Sequence, residues 1–294
     1  IELGCEEIPA SSAPKMVTAL RDKLVALLDE AGLAHGKATM MGTPRRLTAH
    51  VADVQLRQPD RVDEVTGPPA KVAFDADGKP TRAGEGFARG QGMSAADLYK
   101  VETPKGAYAG LRKEVAGLSA AELIAAELPG VLRGLPQPKR MRWAVGVDAF
   151  IRPVRWLVAL LGDTVVEAGF AGVQAGRKSR GHRFDADVDV QVSADLATYV
   201  QALGAVGVEV DPEARSAKIV AGARALAEAA GGTLVQDQET IDTITWLVEQ
   251  ANPLLARFDD DFLAIPDPVI LTTLKSHQKL LCVRAADPTN LEGG

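Results

Sequence analysis

The sequence of 294 residues is poor in aromatic and sulfur-bearing side chains, and it has no long apolar run. Aromatic residues make up 4% of the chain, and Cys5 and Cys282 are its only cysteines. Two thiols so far apart do not indicate a disulfide framework, and without a CxxC pair or a Cys/His cluster no zinc site is expected. The longest apolar run, Trp156 to Leu161, is far shorter than the roughly 20 residues of a membrane-spanning helix. We expect no membrane partner and a reducing, cytoplasmic location.

Common motifs of nucleotide binding and hydrolysis are also missing. The chain has no GxxxxGK[ST] loop, no HExxH pair and no GxSxG elbow, and the glycines of GEGFARGQG at 84–92 do not follow a strand as a dinucleotide fingerprint requires. Its four histidines are scattered. We therefore expect no catalytic residue, no cofactor-binding residue and no metal ligand in this chain.

Helical and strand patterns occur together along the sequence. Apolar residues at helical spacing, with capping residues at the ends, predict helices at 11–32, 119–133, 194–204, 212–230 and 240–250. Alternating or β-branched stretches predict strands at 47–51, within 150–162 and 164–174, and at 188–192. A short helix leading into a strand is expected at 266–285. The strands suit hairpins better than βαβ units, which predicts an α+β fold with mixed, mainly antiparallel sheets and packed helices.

Length and composition predict more than one domain. A chain of 294 residues exceeds one ordinary domain, and the stretch 67–92 is dense in glycine, proline and charge. We place the boundary near residue 75, which divides the chain into 1–75 and 76–294. Because the sequence starts without methionine and stops at NLEGG, we expect it to be a piece of a longer protein.

Positive charge is concentrated in one segment of an acidic chain. Between Gly134 and Phe184 there are nine basic and three acidic residues, a net charge of +6, while the whole chain carries −6. The rest of the chain therefore carries −12. A basic surface on an acidic body binds a polyanion locally, because lysine and arginine displace the counterions of phosphates.

Two short runs, KRMRW at 139–143 and RKSRGHRF at 177–184, contain most of this charge. Phe184 is placed to stack on a base, and Gly181 to let the backbone approach a phosphate closely. IRPVRW and the PRR at 44–46 repeat the pattern, although Trp143 and Trp156, taken singly, suit a core better than a platform for bases. The alternative for all of these cations is ion pairing with the acidic body or exposure on a loop. The candidate phosphate contacts are Lys139, Arg140, Arg142, Arg177, Lys178, Arg180, His182 and Arg183. The charge alone does not choose RNA over DNA.

Several segments, in order along the chain, resemble a known family. They are ELGCEEIP, AGLAHG, TPRRL, the GP of VTGPP, FDADGKPTRAGEGFARG, PKRMRW, FIRPVRWLVALLGD, RGHRF and the late HQK. Together they resemble the β subunit of bacterial heterotetrameric glycyl-tRNA synthetase, from the first residue to about 285. The sequence departs from the family pattern at Cys5, where threonine is usual, and at Leu280 and Leu281, where aromatics are usual.

The resemblance implies a subunit of an α2β2 class II ligase that joins glycine to tRNA(Gly) in the cytoplasm. In such an enzyme the α subunit carries the aminoacylation site and uses ATP, with magnesium, and the β subunit binds tRNA. The resemblance also implies a region similar to the B3/B4 fold of the phenylalanyl-tRNA synthetase β chain, within 76–294. It further implies an HD-type domain and an anticodon-binding region that are absent from this sequence.

Three functional hypotheses follow. The first is a tRNA-binding, non-catalytic part of the ligase, with the α subunit and tRNA(Gly) as partners. The second is hydrolysis of mischarged tRNA, with His182 or the pair Glu6 and Glu7 placing a water molecule. The third is a docking module for the α subunit that uses an apolar helix face such as 17–28.

Overall fold

Short strands and helices are interspersed along the chain, and the computed structural model describes them over residues 1–144 and 148–285. The strands are β1 (Glu2–Cys5), β2 (Ala38–Thr43), β3 (Arg46–Val51), β4 (Arg61–Pro69), β5 (Tyr99–Thr103), β6 (Gly106–Val115), β7 (Val154–Val158), β8 (Leu160–Leu161), β9 (Thr164–Val165), β10 (Gly169–Phe170), β11 (Val173–Gly176), β12 (Lys178–Arg180), β13 (Asp189–Gln191), β14 (Gly232–Leu234) and β15 (Val283–Ala285). The helices are α1 (Ala13–Glu30), α2 (Ala70–Ala73), α3 (Arg82–Gly90), α4 (Ala120–Arg133), α5 (Leu196–Gly204), α6 (Pro212–Ala229), α7 (Gln238–Thr245) and α8 (Asp267–Thr272).

The chain divides into two units. One, the main unit, contains Ile1–Gln55 and the chain from Ala121 onward, and the other, the 56–120 unit, contains Leu56–Ala120. The predicted boundary near residue 75 lies inside the 56–120 unit, between α2 and α3. The division into 1–75 and 76–294, with its B3/B4-like assignment, stays a prediction.

The main unit is built on a six-stranded sheet. Its strand order is β10-β11-β7-β1-β3-β2, and its pairings are antiparallel except for the parallel pair of β11 and β7. β1 lies near the centre, with Leu3 opposite Leu47 on β3 and Leu157 on β7. Because successive side chains of a strand point to opposite faces, Leu3 and Glu2 lie on different sides of this sheet.

Helices contribute apolar side chains to the core of the main unit. α1 packs on β2 and β3, and it buries the stripe Met16, Val17, Leu20, Leu24 and Leu28. Elsewhere Tyr199 and Leu203 of α5 share a cluster with sheet residues such as Trp156 and Val158. The docking hypothesis used the apolar face at 17–28, which is therefore buried within the main unit and is not free to contact another subunit.

The 56–120 unit has a small sheet of its own. Its strand order is β4-β6-β5, all antiparallel. α2 packs on this sheet, and Ala70, Ala73, Phe74 and Ala109 form its core, with Phe87 packed against them. The Gly-rich stretch predicted to be a boundary or a long excursion therefore contains folded elements, with Thr81 capping α3 by accepting from the Gly84 N–H.

The α+β prediction is confirmed. The predicted helices at 11–32, 119–133, 194–204 and 212–230 are α1, α4, α5 and α6, and the strand predicted at 47–51 is β3, which forms a hairpin with β2. α4 continues through Pro129. The helix predicted over 240–250 ends earlier, since α7 stops at Thr245 and Trp246 follows as its C-cap. Among the described residues no helix is long and apolar enough to cross a membrane.

A close packing contact at Gly4 gives the first prediction. A Cβ at Gly4 would lie 1.9 Å from ring atoms of Trp156, so the indole occupies the space of a side chain. We expect Gly4→Ala to lower the free energy of unfolding by about 2 kcal/mol, because a filled core must then move an aromatic ring. Urea unfolding followed by tryptophan fluorescence measures this.

Gly130→Ala is the matched control, because Gly130 lies inside α4 and a methyl group at its Cβ position would have no neighbouring atom within 4 Å. It should leave stability unchanged or raise it by up to about 1 kcal/mol, as for glycine replaced within a helix. Equal stability of Gly4→Ala and the unmodified protein would show that the sheet face does not depend on this contact.

Candidate nucleic-acid interface

The eight predicted phosphate contacts all belong to the main unit. Lys139, Arg140, Arg142, Lys178 and Arg180 are exposed, whereas Arg177, His182 and Arg183 are partly buried. They occupy two stretches of backbone, one running from α4 to β7 and the other centred on the hairpin β12–β13. The structure gives these two stretches different surroundings.

Strand alternation divides the side chains of β12. Lys178 and Arg180 are exposed, whereas Ser179 between them is completely buried. The register with β13 places Arg180 opposite Asp189 and Lys178 opposite Gln191. This is the period of two expected of a strand with one covered face. β12 therefore presents two cations outward and one hydroxyl inward.

The outward cations of this stretch have acidic neighbours at moderate distance. Lys178 Nζ lies 3.4 Å from an Asp189 carboxylate oxygen, and Arg180 lies 3.9 Å from carboxylate oxygens of both Asp187 and Asp189. Arg177 donates a hydrogen bond to the backbone carbonyl of Asp163. Exposed pairs of this kind contribute about 0 to 1 kcal/mol, so a phosphate can compete for these side chains.

Arg183 is held more firmly. Its Nη1 donates to Glu6 Oε2 at 2.8 Å and to Glu7 Oε1 at 2.7 Å, and Arg155 donates to the other oxygen of Glu6 at 2.6 Å. Burial acts to raise the pKa of Glu6, but hydrogen bonds and charge from Arg155 and Arg183 outweigh it and hold that pKa below its usual value. We call Glu6, Glu7, Arg155 and Arg183 the acid clamp.

The turn after β12 uses its polar atoms internally. The ring nitrogen Nδ1 of His182 lies 3.2 Å from the backbone nitrogen of Asp185 and 3.1 Å from its carboxylate. A Cβ at Gly181 would lie 2.2 Å from the Ala186 carbonyl oxygen, so this glycine admits the returning backbone of its own turn. Phe184 is left 85% exposed at the tip.

The other stretch, 139–142, carries cations with fewer partners. Among the described residues, no acidic side chain lies within ion-pair distance of Lys139, Arg140 or Arg142, although Arg140 donates to the Leu135 carbonyl. Next to them Trp143 is 41% exposed, and its indole N–H donates to the Phe150 carbonyl at 3.0 Å. The predicted aromatic neighbour of the basic run is therefore at the surface, with its ring orientation fixed.

The two stretches approach one another around Arg155. A pocket of about 280 Å³ is lined by Trp143 and by Arg155, and Arg155 shares Glu6 with Arg183. The lining also includes Asp148, which pairs with Arg133. The exposed tryptophan and the acid clamp thus belong to one continuous surface of the main unit.

Beneath this surface lies a network of buried polar side chains. Ser179 donates to Glu2 and accepts from Arg46, and Arg46 donates to Glu249 at 2.8 Å. The indole of Trp156 and the hydroxyl of Tyr199 also donate to Glu2. All six residues are at most 6% exposed. The network joins β1, β3, β7, β12, α5 and the segment after α7. The inward side of β12 is therefore hydrogen-bonded to the six-stranded sheet.

Charge within this network is balanced by close pairing. Thr43 and Arg45 also donate to Glu249, at 3.0 and 3.3 Å. Burial acts to raise the pKa of Glu249, but the charges of Arg46 and Arg45 outweigh it and keep that pKa below its usual value. A buried ion requires such partners, because an unpaired one is strongly destabilising.

Arg215 is buried nearby on α6 and donates to three backbone carbonyls, those of Gly42, Glu209 and Thr245. Burial lowers its pKa to about 10, although Glu209 and Asp211 act to raise it. Its guanidinium also lies over the ring of Trp246, 5.8 Å from the centroid. This side chain joins α6 to the end of β2 and to the C-terminus of α7.

One sequence expectation therefore needs correction. The arginines of PRR, Arg45 and Arg46, are 6% and 0% exposed, so they stabilise the core and do not contact nucleic acid. Trp156 is buried, at 6%, as its core interpretation predicts, with Arg45 and Arg46 about 5.5 Å from its ring centroid. Glu6 and Glu7 form ion pairs with Arg155 and Arg183. Sequence analysis missed Glu2, Tyr199, Arg215 and Glu249.

The described residues contain no group of three His, Cys, Asp or Glu side chains that could hold a metal ion. The eight phosphate-contact assignments are not tested by this geometry and stay predictions.

The buried network gives a prediction on acid stability. Glu249→Gln should lower the free energy of unfolding at pH 7 by about 3 kcal/mol, because it leaves Arg46 buried without its anion. The folded-state pKa of Glu249 is below the ordinary value of 4.5, so its contribution is complete above about pH 4.5 and is lost as the pH falls through the folded-state pKa. The difference between variant and unmodified protein should shrink below pH 4.5.

Unfolding free energies measured from pH 7 to pH 3 test this, with Asp22→Asn as control. Asp22 forms an exposed pair with Arg21, and its loss should change stability by less than about 1 kcal/mol. A difference for Glu249→Gln that stays constant with pH would contradict the assigned ionisation.

Comparison with known proteins assigns the chain to a family. The family described as glycyl-tRNA synthetase beta subunit matches residues 1–292. Glycine–tRNA ligase beta subunits of Nitratidesulfovibrio vulgaris (strain Miyazaki F) and Trichlorobacter lovleyi are 41% and 40% identical, over 98% and 96% of this chain. That of Geotalea daltonii is 38% identical over 95%. The chain spans only about 41%, 41% and 40% of these relatives. With its whole described fold inside the matched range, the chain belongs to the glycyl-tRNA synthetase beta subunit family.

Proposed function

We propose that this chain is the tRNA-binding, non-catalytic part of a glycine–tRNA ligase beta subunit. In this proposal it supports the ATP-dependent attachment of glycine to tRNA(Gly) by an alpha subunit, which supplies the ATP site and its magnesium. The enzyme works as an alpha2beta2 heterotetramer in the cytoplasm. The observation that carries the proposal is the exposed cationic stretch 139–142, whose three basic side chains have no acidic partner among the described residues.

The chemistry of that stretch suits RNA. Arginine and lysine without a carboxylate partner do not have to break an ion pair before they bind a phosphate. Exposed aromatics lie next to each cationic run, with Trp143 after Arg142 and Phe184 after Arg183. RNA-binding proteins commonly combine backbone cations with aromatic platforms for unpaired bases. The acidic remainder of the chain confines the polyanion to this surface.

The cations of this surface differ in how readily they can exchange a carboxylate for a phosphate. Lys178 and Arg180 have acidic neighbours at 3.4 to 3.9 Å, so they exchange readily with phosphates. Arg183 must leave two carboxylates at 2.8 Å or less. We therefore rank 139–142 as the principal contact and the hairpin β12–β13 as a secondary one. Glu6 and Glu7 limit the binding strength by occupying Arg183.

The hydrolytic alternative has less support. Glu6 and Glu7 are both engaged with arginine, which occupies carboxylate oxygens that a water molecule would need. His182 Nδ1 faces the backbone and carboxylate of Asp185. The side chains named for water placement thus serve the local fold, so we keep the binding role as the conclusion.

Removing the unpartnered cations should weaken tRNA binding. In the full-length subunit, Lys139→Ala combined with Arg142→Ala should reduce affinity for tRNA about tenfold at low salt and flatten the salt slope by about 1 to 2, because two phosphate contacts are lost. Filter binding at four salt concentrations measures both quantities. Lys15→Ala with Lys37→Ala removes the same charge from exposed positions and should change both quantities little.

An affinity and salt slope equal to those of the unmodified subunit would contradict the proposed contact. If the control variant weakens binding as much as Lys139→Ala with Arg142→Ala, the effect reflects net charge alone and the assignment of this stretch is wrong.

Releasing the acid clamp should have the opposite effect. Glu6→Gln with Glu7→Gln removes both partners of Arg183, and we expect tRNA affinity to rise about threefold or more at low salt and to converge with the unmodified value at high salt. The matched control is Glu30→Gln with Glu127→Gln, two exposed acids in helices. Unchanged affinity in the clamp variant, together with an intact fold, would place Arg183 outside the RNA surface.

A further inference from the structure

An apolar groove lies in the part of the main unit formed by the last described residues. It has a volume of about 700 Å³, and its walls include Ile219 and Leu226 of α6, Leu234 of β14 and Val283 of β15. The segment 254–281 contributes nearly half of the lining residues. None of these residues belongs to the cationic surface or to the buried network.

The side chains of this segment are unusually exposed for their chemistry. Leu254 is 84% exposed and Leu263 is 62% exposed, and Leu255, Phe258 and Leu280 are each more than 40% exposed. All five line the groove. Single exposed apolar residues are ordinary, but a contiguous set on a concave surface marks an interaction site.

The local elements do not bury a core of their own. The short 3-10 helix Asp260–Ala264, α8 and the single turn Thr273–His277 contain no buried residue. α8 nevertheless carries Ile270 and Leu271 into the groove lining. A helix so short is not stable by its own hydrogen bonds and depends on an apolar partner. Such a segment would gain fixed packing from an apolar partner in the groove.

The charges around the groove point to an apolar occupant. Lys275 lies 2.9 Å from a carboxylate oxygen of Asp237, and Arg284 lies 3.4 Å from one of Asp267, so these cations are neutralised. Asp259, Asp260 and Asp261 precede the lining residue Leu263. Arg257 and Lys279 also line the groove, but the run of three acids disfavours a nucleic acid, and a polar rim around an apolar centre is typical of a protein contact.

We propose that this groove is the docking surface for an apolar segment of the same full-length polypeptide, from the part outside the 294 residues. The three relatives match this chain over only 40% or 41% of their length, so more than half of each lies beyond the matched range. The proposal rests on family membership and is independent of RNA binding.

The choice of an intramolecular occupant follows from the packing. A segment whose helices lack buried residues needs its partner at all times, since without it the apolar side chains remain in water. A tethered segment is present at an effective concentration of about millimolar, whereas a second copy or another subunit leaves the groove open on dilution. We therefore expect occupation to be independent of protein concentration.

Cysteine accessibility in the full-length subunit tests this inference. Leu254→Cys and Leu263→Cys are labelled separately with a maleimide, at submicromolar protein and without other subunits or RNA. Phe184→Cys is the matched control, because Phe184 is also highly exposed but lies away from the groove. The native thiols react slowly, since burial raises the pKa of Cys5 and of Cys282, and the unmodified subunit gives their background. An unchanged unfolding transition establishes that each variant is folded.

We expect both groove cysteines to react at least tenfold more slowly than Phe184→Cys, at a rate that does not change with protein concentration. Reaction as fast as that of Phe184→Cys would overturn the proposal. Protection that appears only on addition of the alpha subunit, or only as concentration rises, would also overturn it and assign the groove to that subunit or to a second copy. Because no RNA is present, failure of the proposed tRNA binding would not affect the result.

Discussion

The buried hydrogen-bond network from Glu2 through Ser179 and Arg46 to Glu249 is the constraint on which the main unit depends. It places two carboxylates and a guanidinium inside the protein, with Arg46 completely inaccessible. Such groups are tolerated only when each is paired and hydrogen-bonded, and removing one leaves the others uncompensated. The strands and loops that supply them are therefore held in one relative arrangement.

The candidate interface follows from that arrangement. Ser179 occupies the inward position of β12, so its hydrogen bonds to Glu2 and Arg46 fix the direction in which Lys178 and Arg180 project. The chain runs from Glu2 on β1, which belongs to the network, to Glu6 and Glu7 just after β1, which belong to the acid clamp. One short N-terminal segment thus hydrogen-bonds to the inward side of β12 through Glu2 and partly neutralises Arg183 through Glu6 and Glu7.

Much of the fold was predictable from local signals. α1 and α6 have apolar spacing, a proline in the first turn and glycines beyond their ends, and all of these act within one element. Exposure of Lys139 and Arg142 could also be expected from charge. The pairing of Arg183 with Glu6, 177 residues away in sequence, depends on a sheet register that no local pattern encodes.

The incorrect sequence expectations also arise from contacts between residues that are distant in sequence. Arg45 and Arg46 resemble the other basic pairs in composition, but Glu249 lies more than 200 residues further along the chain and brings them into the core. Glu249 itself falls within the helix predicted over 240–250, and nothing in that pattern indicates a buried carboxylate. Of the four residues that were missed, only Glu2 carried a sequence signal of burial, since it is an acid at the start of an apolar strand. A charge among core residues needs a buried partner. The early end of α7 reflects Trp246, which packs against Arg215.

We propose that the cations between Gly134 and Phe184, where the net charge is +6, form the RNA-contacting surface of the subunit. Lysine-modification footprinting of the full-length subunit, with and without saturating tRNA and read by mass spectrometry, tests it directly. The account predicts that tRNA slows modification of Lys139 and Lys178 severalfold and leaves the exposed Lys15 and Lys37 unchanged. Bound tRNA with Lys139 and Lys178 reacting at their free rates would contradict it.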